Sequence, residues 1–204
     1  MTDTRHWLDR MMHDGRWGEA YAHWIGTLDD MAAGIPALHN GDFESPLEDL
    51  GFGWRRERIS GVFFQLEDDP SGTAGRVAHL HFLGRSTATA GLAHPLLLAP
   101  GRYRMSFRAR SEYLRSEQGL VWQVACAAND GPPLGGVGTL VDGDGWRDLS
   151  VTFDVPDVGC TAQWLRLTNP APKGTAQQVS GDLWVDDFSI TSLDSGTRPQ
   201  KGER

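Results

Sequence analysis

From Trp54 to Ile190 the chain is a succession of short runs in which apolar and polar residues alternate, each cut off by Gly, Pro or Asp before it grows long. Period two sends successive side chains to opposite faces of a strand, so each run has one dry side and one wet side. The segments Trp54–Ile59, Val62–Glu67, Arg76–Leu83, His94–Leu98, Tyr103–Arg110, Leu120–Ala127, Gly138–Val141, Arg147–Val155, Gln163–Leu167 and Leu183–Ile190 read as strands. Asp69-Pro70-Ser71-Gly72, Ala99-Pro100-Gly101 and Asp142-Gly143-Asp144-Gly145 read as turns between them. Gly135-Gly136-Val137-Gly138 follows Pro132-Pro133 and reads as a loop. Many short strands without crossover helices leave a mostly β fold, a jelly-roll β-sandwich.

The start of the chain obeys another period. Trp7, Leu8, Met11 and Met12 recur at helical spacing, and Gly15 ends that helix. Trp17, Ala20, Tyr21, Trp24, Ile25 and Leu28 make one apolar stripe on a second helix. A helical hairpin this short cannot bury its own apolar face, so it must dock on the sandwich or on a neighbour outside this chain. The phrase GRWGEAYAHW resembles one tetratricopeptide repeat, which implies the end of a longer helical array. The organisation is therefore a hairpin over residues 1–34, a linker at Ala32–Ala37, a sandwich over 38–193 and a polar, disordered tail over 194–204.

Charge narrows the partners. A net charge of −8 argues against nucleic acid, because phosphate binding needs a basic field. No run of apolar residues is long enough to span a bilayer, and Met1–Arg10 lacks a secretion-type apolar segment. Two cysteines, Cys126 and Cys160, suit one disulfide, with a pair of buried thiols as the other reading. A disulfide would place the module outside the cytosol, in a periplasm or beyond the cell.

Five phrases then fall in a telling order. Asn40-Gly41-Asp42-Phe43-Glu44 comes first, then Trp54, LAPGRYRMSFRAR (Leu98–Arg110), GWRDLSVTFDVP (Gly145–Pro156) and GDLWVDDFSI (Gly181–Ile190). This order resembles the carbohydrate-binding modules built on the galactose-binding-like jelly roll, over roughly Leu38–Leu193. The resemblance implies a non-catalytic module for oligo- or polysaccharide, within a larger bacterial cell-envelope or polysaccharide-related protein. It also implies one structural Ca²⁺, held by Glu44 and Asp186, with Asp42 and Asp187 as second candidates. Paired carboxylates with nearby carbonyls suit that hard cation.

Sugars are gripped by aromatic faces with amides and guanidinium groups around them. The candidates are Trp122 with Gln123, Trp164, the Arg104–Arg108–Arg110 face with Arg108 and Arg110 foremost, and His79 with His81. Trp122 lies on the side of its strand that looks like core, so it is a packing residue unless that side is the wet one. If the strands of His79 and Arg108 adjoin, Arg, His and Gln form one patch able to take a carboxylate. No nucleophile elbow, phosphate loop or marked carboxylate pair is present, so a glycoside hydrolase is the weaker alternative. The other alternative is a protein partner recruited by the helical stripe.

Overall fold

The expected sandwich forms. The computed structural model describes residues 2–28, 36–72, 75–128, 131–139, 145–170 and 177–194. Two helices, α1 (Thr2–His13) and α2 (Trp17–Ile25), precede the strands β1 (Arg55–Arg56), β2 (Val62–Asp68), β3 (Arg76–Ser86), β4 (Thr89–Leu96), β5 (Gly101–Ser116), β6 (Val121–Cys126), β7 (Gly135–Gly138), β8 (Arg147–Val155), β9 (Gln163–Thr168) and β10 (Gln178–Ser192). They make two five-stranded sheets, β1-β4-β9-β6-β7 and β2-β3-β10-β5-β8, with every pairing antiparallel. The linker at 32–35, the Asp142–Asp144 turn and the tail from Ser195 lie outside the described residues.

Alternation along the strands fills the space between the sheets. Met105, Phe107 and Ala109 of β5, Trp122 and Val124 of β6 and Leu165 and Leu167 of β9 point inward and are buried. Trp54 lies at the centre, stacked on Phe43 at 5.0 Å and edge-on to Trp122 at 5.8 Å and Phe188 at 5.2 Å. Its indole N–H donates to the Asn40 carbonyl at 2.9 Å, so the buried polar edge is satisfied.

Three strand expectations needed correction: of Gly138–Val141 only Gly138 lies in a strand, Thr139 does not, and 140–141 lie outside the described residues. Only Arg55–Arg56 of the run Trp54–Ile59 pairs in a ladder, because Trp54 turns into the core. The Gly135–Gly138 run is strand β7, not a loop, and pairs with β6 from Val121↔Gly138 to Val124↔Gly135. Its glycines carry no alternation to read, yet they have a packing reason. A Cβ on Gly135 would lie 2.8 Å from the Phe153 side chain of β8.

The helical hairpin docks on the sandwich. Leu8, Met11, Met12, Trp17, Ala20 and Trp24 are buried with Phe52 and Ala162, beside half-buried Leu97, Ala127 and Trp164. Each large side chain removed from water there contributes about 1.5–3 kcal/mol. Gly51 makes the fit close: at φ +52° it lies against the Trp24 indole, where a Cβ would come within 1.9 Å of the ring. Arg55 adds a polar clasp, donating to Gly51 and Asp49 carbonyls and to Asp9 of α1 at 2.9 Å.

Beneath the hairpin, Cys126 and Cys160 form a disulfide. It joins the end of β6 to the loop before β9, beside the Ala127 N–H bond to the Ala162 carbonyl. Replacing both cysteines by Ser is expected to cost about 3–4 kcal/mol, the chain-entropy value for a loop of this length, read as a lower urea midpoint.

His94 gives the core a pH dependence. Its Nδ1 donates to the Pro95 carbonyl at 2.7 Å, which leaves Nε2 to accept the His39 N–H at 3.2 Å. Burial pulls its pKa from 6.5 down to about 4, so the folded ring stays neutral where the unfolded ring takes up a proton. Stability therefore falls as pH drops from 6.5 towards 4, by about 3 kcal/mol at most from this group. The difference in urea midpoint between the native chain and His94→Gln should shrink as pH falls through that window; a constant difference would refute it.

Candidate functional site

Each sheet turns one face outward, and the residues expected to meet a ligand divide between the two faces. On the first sheet, cross-strand register sets Ala93, Arg166, Gln123 and Gly136 in one row. Pro95, Trp164 and Ala125 form the next row. The small residues keep this floor low, and Trp164 lies half-buried on it. The Arg166 guanidinium lies 4.9 Å over the Trp164 ring, a cation–π contact, and Trp17 of α2 meets the ring edge-on at 5.8 Å. Burial lowers the Arg166 pKa, though a guanidinium keeps its charge at neutral pH.

A cleft of about 860 Å³ opens above Trp164. One wall is the hairpin, through Asp9, Met12, His13 and Trp17; the other walls are Asp49, Arg55 and Arg56 on one side and Ala127 and Ala128 on another. A smaller hollow of about 210 Å³ continues from it over Gly91, Ala93 and Arg166. Two acids of the cleft are matched to arginines, Asp9 to Arg55 and Asp49 to Arg56, while the third, Asp14, lies 3.5 Å from the His13 imidazole.

On the second sheet β10 runs between β3 and β5, so the strands of His79 and Arg108 do not adjoin. The patch forms nevertheless, with β10 supplying its centre. His79, Trp184 and Arg110 lie in one row, with His79 stacked on the Trp184 indole at 4.4 Å and the Arg110 guanidinium 5.0 Å over the same ring. His79 and His81 share one oxygen of Asp182, at 2.8 and 2.7 Å. Burial pushes the Asp182 carboxyl up, but the two histidine hydrogen bonds outweigh it and hold the pKa below its usual range. Trp184 donates to Glu67 at 2.7 Å, and Arg110 pairs with Glu112. Arg108 pairs with Asp186 at 3.1 Å and Asp187 at 2.9 Å, and lies 5.1 Å over the Trp146 ring. A ligand here would have to displace internal partners.

Trp122 belongs to neither face. It is fully buried against Trp54, Phe107 and Phe188, so its expected part in ligand binding is corrected to packing. Gln123, next to it, points outward to the first face. The residues that sequence reasoning passed over are Arg166, two positions after Trp164 on the same side of β9, and Trp184, hidden within a phrase read as structural. The i, i+2 spacing of Trp164 and Arg166 is the one signal that could have found the first of them.

The resemblance to jelly-roll carbohydrate-binding modules holds in the fold. No family model and no curated protein matches the sequence. Among solved structures, the carbohydrate-binding module CBM4 matches with a TM-score of 0.52 at 14% identity, over 76% of this chain and 99% of that one. The second family 16 carbohydrate-binding module matches with a TM-score of 0.51 at 15% identity, over 76% and 99%. A cyclase from Fischerella sp. TAU, in complex with 4-(1H-indol-3-yl)butan-2-one, shares the fold equally well, with a TM-score of 0.51 at 17% identity over 80% and 98%. The class defined is thus the jelly-roll sandwich, a scaffold on which binding and catalysis both occur.

The calcium expectation needs Glu44 and Asp186 to serve one cation. Glu44 accepts the backbone N–H of Arg76 at 2.9 Å, and Asp186 holds Arg108 through one oxygen. The other Asp186 oxygen is buried without a hydrogen-bond partner. Burial, reinforced by the Asp187 charge, pushes the Asp186 pKa up to about 6 despite Arg108. Asp42 accepts the Glu44 N–H at 3.5 Å. Among the described residues, no group of three or more His, Cys, Asp or Glu side chains is placed to hold a metal ion. Of these residues, Asp186 offers a cation one free carboxylate oxygen. Calcium titration followed by thermal melting tests the expectation: an ion held by Glu44 and Asp186 raises Tm in the native chain and not in Asp186→Asn, and an unchanged Tm in both would refute it.

Proposed function

We propose that the protein is a non-catalytic carbohydrate-binding module whose ligand lies in the cleft over Trp164. The observation that carries this is the grouping of a half-buried indole, the Arg166 guanidinium and the Gln123 amide on one low floor. A pyranose presents a flat C–H face to an aromatic ring and hydroxyls to the surrounding donors and acceptors. The cleft is concave and of mixed polarity, as small-ligand sites are. Saccharide ligands of fold neighbours support the reading by analogy of fold alone.

Non-catalytic status rests on the cleft carboxylates. Asp9 and Asp49 each hold an arginine, which leaves Asp14 as the one cleft aspartate outside an arginine pair, whereas glycoside hydrolysis needs two carboxyl groups free to work on either side of the bond. The disulfide supports a place outside the cytosol, in the envelope or a secreted protein. Among the described residues no helix is long and apolar enough to cross a membrane. The protein-partner alternative loses its motive, because Trp17 and Trp24 are buried against the sandwich and Tyr21 is half-buried there.

A glycan array with the intact chain, with and without calcium, tests the proposal. Against a bound glycan, Trp164→Ala is expected to lose about tenfold or more in affinity, about 1.4 kcal/mol, with the fold retained. His79→Ala, on the opposite face, should leave binding unchanged. Silence across the array in both conditions would overturn the proposal.

A further inference from the structure

We infer that the helical hairpin makes the cleft blind at one end, so that the module takes the terminal unit of a saccharide chain rather than its middle. The inference rests on the carbohydrate reading above. The floor runs along β9 from Trp164 to Arg166, flanked by Pro95 and Ala93 of β4 and by Ala125 and Gln123 of β6, and without the hairpin it would be open at both ends. The hairpin stops it on the side of Ala127 and Ala128. There Trp17 packs edge-on against Trp164 with ring centroids 5.8 Å apart, and the hairpin buries Ala162 with Leu97 and Ala127 beside it at the same end of the strands. The opposite end continues over Gly91 and Ala93 and stays open.

This wall is fixed rather than a flap. The Trp24 indole fills the space over Gly51 down to a distance no side chain could share, and Arg55 clasps Asp9 of α1 with its own guanidinium mostly buried. The stop is also polar. Asp9, His13 and Asp14 from the hairpin and Asp49 across from them line it. A terminal sugar carries a free hydroxyl where an internal unit carries a glycosidic bond, and Asp14, the cleft aspartate outside an arginine pair, can accept from that hydroxyl. A site built to bond a hydroxyl rejects the analogue that lacks it.

The test compares xylan, β-glucan, galactan and polygalacturonate, each intact and after partial hydrolysis, at equal total sugar, by calorimetric stoichiometry with the full chain. For the polymer that binds, saturation is expected to follow the number of chain ends, so that doubling the ends doubles the module bound. Saturation set by sugar mass and unchanged by hydrolysis would overturn the inference and leave the carbohydrate reading standing. No binding to any intact or hydrolysed form would overturn both. Gly51→Val, which drives a side chain into Trp24, supplies a second arm, with the sandwich monitored by circular dichroism. The folded variant should bind intact polymer along its length, with saturation no longer tied to chain ends. A folded variant that stays end-limited would remove the hairpin as the stop, and if the variant does not fold the stoichiometry alone decides.

Discussion

Trp54 is the residue on which both layers close. It stands just before β1, at the end of a segment with almost no regular structure, yet its ring meets side chains from every part of the sandwich. Phe43 comes from the opening Asn-Gly phrase, His94 from β4, Trp122 from β6 and Phe188 from β10. Aromatic pairs in edge-on and offset geometry contribute about 0.5–1.5 kcal/mol each beyond the area they bury. Fixing Trp54 also fixes Arg55, which then emerges at the rim of the first sheet, where it clasps the hairpin. The opening phrase obeys the same constraint. Gly41 approaches β10 so closely that a Cβ would fall 1.9 Å from the Phe188 carbonyl, and its own carbonyl accepts the Phe188 N–H. The phrases that suggest a fold family from sequence are therefore largely the hinges and plugs of this core.

Strands are legible where burial is one-sided. Along β5, Met105, Phe107 and Ala109 alternate with Arg104, Ser106, Arg108 and Arg110, and the structure follows that pattern residue for residue. The glycine strand β7 is illegible, because a residue without a side chain cannot announce a face. The run Trp54–Ile59 misleads for the opposite reason: its large apolar residue, Trp54, stands outside the ladder of β1 and fills the core. The hairpin is legible as a pair of helices with an apolar stripe that has to be covered. Its cover is not, since the answer depends on Gly51, Phe52 and Ala162, which are scattered along the chain and look like loop residues in isolation.

The site is harder to read than the fold, and for a physical reason. Period two tells that two side chains share a face but not whether that face looks in or out, nor which strands lie beside it. Trp122 and Trp164 have similar sequence surroundings, each beside a glutamine, yet one is core and the other is floor. The patch around His79 and Arg108 reads from sequence as a meeting of two strands, whereas a third strand from the far end of the chain lies between them. Strand order in a jelly roll is set by crossovers, and local sequence carries no record of it. Trp184 is the cost of that ignorance: it centres the patch, stacked between His79 and Arg110, and nothing in its own neighbourhood says so.

The two outward faces differ in a way that decides which one can bind. On the second sheet His79, His81, Arg108 and Arg110 are each already matched with Asp182, Asp186, Asp187 or Glu112. An incoming polar ligand must break those pairs before it makes its own, and a half-broken buried pair is costly. On the first sheet the floor is low because its residues are small, and Gly91 shows why they must be. It adopts φ +75°, and a Cβ there would lie 2.3 Å from the Glu57 carbonyl, whose residue donates its N–H back to Gly91 at 2.7 Å. The same absence of a side chain that lets the chain entering the sandwich fold tightly over β4 also clears space beside Arg166. On that floor Arg166 is engaged with the face of an indole rather than in an ion pair, so a sugar ring laid beside it can use both while the Asp9–Arg55 and Asp49–Arg56 pairs stay in the walls.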